Sequence, residues 1–278
     1  MNRRHPLTWS RILMQLLLVI VALTMLFPLY FAIGASLKTP TEYVGNRVGV
    51  PVAPTLDNFR YLIHDAHILD YLVNTIVLIS VTLFFYIFVC SAAGFAFGKL
   101  EFRWKTPIFL LVLFLLIFPQ MVLSMPLFLM MTKMHLINSR LGVCLAWLAY
   151  FSPFGSYIMA TYYSSVPKDL LESARIDGAG IVRILLRIFV PVAAPMVATI
   201  AIVGFQAMWV ELPFSLLLLQ RRELRTLTLG IAMLQGEYGL SVPVLSAAIV
   251  ISAVIPMAIF FAFQRNVILG AQAGSIKG

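Results

Sequence analysis

Six stretches of this chain, at about residues 12–35, 71–98, 106–131, 138–163, 191–219 and 244–263, are each apolar and long enough to cross a hydrocarbon core. Such a crossing takes about 20 helical residues. Continuous apolar runs predict helices, whereas barrel strands would alternate over roughly ten residues. Only 11% of the residues are charged and 61% are hydrophobic, against about 25% charged in a water-soluble domain. Such a chain cannot coat its surface for water. The expected fold is therefore an all-α polytopic membrane protein of about six transmembrane helices, forming one domain over residues 1–278. Pro28, Pro119, Pro153 and Pro256 fall inside these runs. They predict kinks, because neighbouring helices can satisfy the freed carbonyls.

The net charge of +9 is dispersed between the apolar runs. It forms no basic stripe with interleaved aromatics, so it reads as a topology signal and not as a nucleic-acid surface. With a cytoplasmic N-terminus, twelve of the 20 Lys and Arg residues lie inside, which satisfies the positive-inside rule and places both termini in the cytoplasm. The first run, after Arg3, Arg4 and Arg11, could also be a cleaved signal peptide. Its apolar region exceeds the roughly 7–15 residues of a signal, which favours an uncleaved helix.

Residues 164–190 then form the longest cytoplasmic connection. Ser164 or Ser165 can cap a helix with Pro167 in its first turn. Asp177-Gly178 offers a turn, and residues 181–190 read as a second short helix stopped by Pro191. Leu170, Leu171 and Ala174 make a small apolar face on the first helix. The expectation is a helix-turn-helix with an exposed apolar patch, built to dock onto something.

The string Glu172-Ser173-Ala174-Arg175-Ile176-Asp177-Gly178-Ala179, followed by Pro191 and Pro195, resembles the signature loop of bacterial ABC importer permeases (Glu-Ala-Ala, two residues, Asp-Gly-Ala, then a helix ending in a proline pair). Ser36-Leu37-Lys38, Pro54 to Phe59, Asn74-Thr75, Trp209-Val210-Glu211-Leu212 and the tail from Gln264 to Gly278 are similar to the carbohydrate-uptake branch, in particular the six-span partner of the maltose-type pair. Ser173 and Val210 stand where the family has alanine and asparagine. The resemblance implies the type I permease fold in a bacterial cytoplasmic membrane. It also implies an assembly with a second permease subunit (a heterodimer), two ATPase subunits and an extracytoplasmic solute-binding protein. ATP and Mg would sit on the ATPases, with no cofactor in this chain. Glu172, Ser173, Ala174, Asp177, Gly178 and Ala179 would form the ATPase-coupling loop, and the cargo would be a di- or oligosaccharide.

Glu211 is the only carboxylate expected deep within a span. An ionisable group there costs about 3 kcal/mol on insertion scales and normally faces a bundle interior or cavity. It either borders the translocation pathway or pairs with Arg221 or Arg222. Phe205 and Trp209, four apart, could stack on a sugar ring or simply pack. Asn74 is a candidate interhelical donor. His64, Asp65 and His67 lack further ligands at usable spacing, so no metal is expected. No phosphate-binding Gly-x4-Gly-Lys-Ser/Thr loop or catalytic constellation is present, so the chain reads as a non-catalytic subunit. A self-contained secondary transporter is the alternative. It would be expected to show internal symmetry and several ionisable residues near the midplane.

Overall fold

The computed structural model describes residues 9–238 and 241–275; Arg3, Arg4 and Lys277, used for orientation, lie outside them. The helices are α1 (Trp9–Ser36), α2 (Pro40–Gly45), α3 (Asp57–His64), α4 (Ile68–Lys99), α5 (Lys105–Leu115), α6 (Gln120–Lys133), α7 (Arg140–Ser165), α8 (Asp169–Ile176), α9 (Ile181–Ile184), α10 (Val190–Val192), α11 (Ala194–Trp209), α12 (Pro213–Leu218), α13 (Leu227–Tyr238) and α14 (Val242–Ser275). The chain divides into two compact units, Met1–Ile68 with Ile231–Val254, and Leu69–Gly230 with Ile255–Gly278.

Among the described residues four helices are long and apolar enough to cross a membrane alone: Leu13–Ser36, Ile68–Lys99, Arg140–Ser165 and Val242–Phe263. The count reaches six only if two bent pairs, Lys105–Leu115 with Gln120–Lys133 and Ile181–Val192 with Ala194–Trp209, each make one span. The stretches expected to span at 106–131 and 191–219 are each interrupted. The first is α5 and α6, bent by 103° around Pro119, which caps α6 with an extended backbone. The second ends at Trp209, and a new helix starts at Pro213. Hydropathy weighs composition over a window and does not register a change of direction inside it. Pro28, Pro153 and Pro256, by contrast, lie within helices.

In the first unit, the 18-residue window of α1 has none of its residues buried. Its apolar composition suits a surface that faces hydrocarbon. Past the helix end, Lys38 is only 1% exposed. Its ammonium donates to the carbonyls of Asn46 (2.7 Å) and Gly49 (2.6 Å), while Asn58 Nδ2 donates to the carbonyls of Ser36 and Lys38. The connection is thus wrapped around one buried cation, since charge-assisted bonds are about twice as strong as neutral ones. A Lys38→Met chain is expected to leave those carbonyls unsatisfied, at about 2 kcal/mol. Hydrogen exchange should then speed at least tenfold in residues 40–52 and stay unchanged in α7.

In the second unit, α4 and α7 approach closely at small residues. A methyl group on Gly94 would meet Met159 Cβ and lie 2.9 Å from Ala160 N; one on Gly98 would lie 2.9 Å from Ala160 O. Lys99, 5% exposed at the end of α4, donates to the carbonyls of Val166 and, at 3.5 Å, Ser164. A basic group at a helix C-terminus satisfies carbonyls that lack intrahelical donors.

Candidate functional site

The segment expected to couple to a partner is anchored to the spans at both ends. It enters where Lys99 holds the carbonyls at the end of α7. It leaves through Phe189, whose ring lies 4.8 Å from that of Phe95 on α4 and 5.7 Å from that of Tyr163 on α7. All three rings are buried. A displacement of the loop therefore reaches two long helices of its unit through close aromatic contact, not through a slack linker.

Between the anchors, α8 runs from Asp169 to Ile176, beginning beyond the serines expected to cap it. Ser164 and Ser165 instead donate to the carbonyls of Thr161 and Tyr162 (2.7 Å each) and finish α7. Pro167 lies in the linker. Helix α8 ends in a glycine turn. Gly178 has φ +75°, its N–H donates to Arg175 O (3.0 Å), and Ala179 N–H donates to Ala174 O (3.1 Å). These are the paired bonds of a Schellman cap, which needs a left-handed residue that glycine supplies without Cβ strain. The Asp177-Gly178 turn stands where the sequence placed it.

The apolar patch does not. Leu171 and Ala174 turn inward, at 5% and 6% exposure, and pack within the chain. Ile176 (86% exposed), Val182 (64%) and Ile181 (45%) project instead. A helical stripe has two possible backings, and sequence alone does not say whether its own protein or a partner covers it. Glu172, Ser173 and Asp177 lie exposed beside the patch, and Ala179 is half-buried. Ser173 Oγ donates to Asp169 O (2.7 Å), so serine in place of alanine is absorbed by the helix itself.

The second short helix is not stopped by Pro191. Helix α9 passes into a π turn over Leu185–Phe189, and Pro191 lies inside α10. Val190 N–H reaches back five residues to Leu185 O, one more than in an α-helix. The wider turn comes just before a proline whose ring would crowd the carbonyl four residues earlier. The chain then bends by 82° into α11, and Tyr162 Oη donates to the Val192 carbonyl (3.1 Å) near that bend.

Glu211 forms a second centre. It is 4% exposed, and its hydrogen-bond donors are Gln120 Nε2 (2.6 Å) and Phe214 N–H (2.6 Å) on Oε1, with Trp147 Nε1 (2.8 Å), Ser215 Oγ (2.7 Å) and Ser215 N–H (3.2 Å) on Oε2. Of the two alternatives for Glu211, pairing with Arg221 or Arg222 is not among these contacts. Arg221 N–H donates to Asn138 Oδ1, and Arg222 Nε donates to Tyr71 Oη. The carboxylate instead caps α12 from just outside it, where the first N–H groups of a helix lack partners. Gln120, Trp147 and Ser215 escaped the sequence reading. Pro213 signals a helix start and could have exposed the break.

Of the other pathway candidates, Phe205 and Trp209 pack against each other with ring centroids 5.4 Å apart and planes tilted by 32°, and Trp209 is buried. Asn74 Nδ2 donates to the carbonyls of Glu223 (2.8 Å) and Arg225 (3.2 Å), and its Oδ1 accepts from Arg140 (2.7 Å). It therefore ties α4 to a loop and to α7. A cavity of about 160 Å³ lies beside the α5–α6 bend, walled by Tyr86, Phe118, Tyr150, Phe151 and Phe154, with neither Phe205 nor Trp209 in its lining. Among the described residues no group of three or more His, Cys, Asp or Glu could hold a metal.

Comparison with known proteins agrees with this layout. The family described as binding-protein-dependent transport system inner membrane component matches residues 91–269. The sulfoquinovosyl glycerol transport system permease protein SmoH of Agrobacterium fabrum is 32% identical over 91% of this chain and 89% of its own. The trehalose/maltose transport system permease protein MalG of Thermococcus litoralis is 32% identical over 97% and 98%. A solved bacterial ABC transporter involved in importing the acidic polysaccharide alginate superposes with a TM-score of 0.77 at 24% identity, covering 94% of this chain and 99% of that one.

Proposed function

The chain belongs to the family of binding-protein-dependent transport system inner membrane components, and from that premise we propose that it translocates a di- or oligosaccharide by alternating access driven by separate ATPase subunits. As a member it is a multi-pass permease subunit of an ABC importer. The sugar cargo is supported by the names of its relatives, including SmoH and MalG. The remaining parts of the reading are a second permease in a heterodimer, two ATPases holding ATP and Mg, an extracytoplasmic binding protein and cytoplasmic termini. This chain then needs no cofactor and catalyses no reaction itself.

One observation carries the coupling role. Ile176, Ile181 and Val182 are exposed on short helices that precede the 82° bend into α11, on a segment clamped at both ends. Burying one such side chain yields about 2 kcal/mol, so an ATPase cleft gains by covering all three. Glu172 lies next to the patch and can accept from a basic group of that cleft.

The test is purification of the assembled complex from membranes. Ile176→Asp and Glu172→Lys are each expected to lower the recovered ATPase at least tenfold at an unchanged permease level. Sugar uptake by this chain alone in ATP-free liposomes would instead establish a secondary transporter.

A further inference from the structure

We infer that Glu211 is a positioning residue, a latch that fastens the starts of α6 and α12, each just past a break in the chain, to unbroken α7. Three elements meet on its carboxylate. Gln120 is the first residue of α6, immediately beyond the 103° bend. Phe214 and Ser215 are in the first turn of α12, immediately beyond the break after Trp209. Trp147, fully buried, comes from the first third of α7. Each break frees backbone groups and a choice of direction, and one side chain ties both to the same rigid helix.

The chemistry of the donors makes the site selective for a group that only accepts hydrogen bonds. A carboxylate is acceptor-only, with about four lone-pair sites, and five hydrogen bonds converge on this one. None is left for a solute hydroxyl, and at 4% exposure no solute can reach it. An amide cannot replace it. In a Glu211→Gln chain, an NH2 group turned toward Gln120, whose own amide can flip, confronts the Phe214 N–H. Turned toward Ser215 Oγ, the same group confronts the Trp147 and Ser215 N–H groups, which donate only. Every orientation leaves at least one buried donor without an acceptor.

The latch also sets the walls of two adjoining cavities. Phe214, bound through its N–H, lines a cavity of about 290 Å³ against Leu115, Pro126 and Tyr150. Leu115 and Tyr150 are shared with the 160 Å³ aromatic cavity. Fixing Gln120 and Phe214 to Trp147 therefore fixes the relation between the bend and the helix that face each other across these spaces. The transport consequence rests on the permease reading; the geometric claim does not.

The test uses spin labels at Phe114→Cys on α5 and Leu216→Cys on α12, both exposed, in the assembled transporter with Cys90 and Cys144 replaced. A control pair, Leu141→Cys and Phe154→Cys, lies on α7. Glu211→Gln is expected to widen the 114–216 distance distribution at least twofold and leave the control pair unchanged. Solute-driven turnover should fall at least tenfold, with the apparent KM for solute-loaded binding protein within twofold of the parent. An unchanged 114–216 width, a widened distribution with full turnover, or a change in KM alone would overturn the latch. If Glu211→Gln widens the control pair too, Gln120→Met decides by the same criteria, because it keeps the charge and removes only the tie to α6. A parent complex that moves no sugar defeats the importer reading, while the distance measurement still decides the latch.

Discussion

A Gly94→Leu chain is expected to unfold at a clearly lower temperature than the parent, whereas Gly34→Leu is expected to keep the parent's midpoint. Both glycines lie inside transmembrane helices, and leucine is the better helix former at each by nearly 1 kcal/mol. Propensity alone therefore predicts stabilisation at both positions. The surroundings reverse this at Gly94. Even a Cβ there meets Met159 Cβ and lies 2.9 Å from both the Met159 carbonyl carbon and the Ala160 nitrogen. Those neighbours are largely backbone of α7, which cannot rotate away as a side chain can. Overpacking costs about 1–3 kcal/mol where neighbours can yield. Here a cost of about 3 kcal/mol or more is expected, about two orders of magnitude in the folded-to-unfolded ratio. Nothing lies within 4 Å of a Cβ on Gly34. Thermal unfolding of the two purified variants in one detergent checks the contrast, and equal midpoints would show that α4 and α7 are not close-packed at Gly94.

Replacing Gly178 by valine is expected to uncouple the protein without unfolding it. The φ of +75° lies in the left-handed region, which costs a residue with a Cβ about 1–2 kcal/mol, and a β-branched one more. A Cβ at this position would meet nothing within 4 Å, so any loss arises from backbone alone. To escape the strain the chain must give up the bonds from Gly178 and Ala179 that end α8, and the angle between α8 and α9 goes with them. Stimulated ATP turnover of the assembled complex should fall at least tenfold, with span stability unchanged. Asparagine, which tolerates the left-handed region, should restore most of it. If valine and asparagine behave alike, backbone conformation at the turn is not what matters.

The spans and the turn were legible in the sequence for different physical reasons. A crossing helix needs a long apolar run, and a left-handed turn needs a residue such as Gly178; both demands act locally and leave a local mark. The break before α12 was hidden because Val210-Glu211-Leu212 keeps the window apolar while a single buried carboxylate redirects the chain. Its donors Gln120 and Trp147 are 91 and 64 residues away, a distance over which periodicity carries no information. The inward turn of Leu171 and Ala174 was hidden for a related reason. Which side of a short amphipathic helix meets its own protein depends on anchors at Lys99 and Phe189, far outside the helix.

The π turn at Leu185–Phe189 gives the coupling segment a phase as well as an attachment. One residue of an α-helix advances the direction of its side chains by about 100°. The five residues of the π turn thus determine the compass bearing of Ile181 and Val182 relative to the bend that follows. The chain length from Gly180 to Pro191 acts as a fixed count: adding or removing one residue would leave the chemistry of the loop intact and aim it at the wrong quadrant.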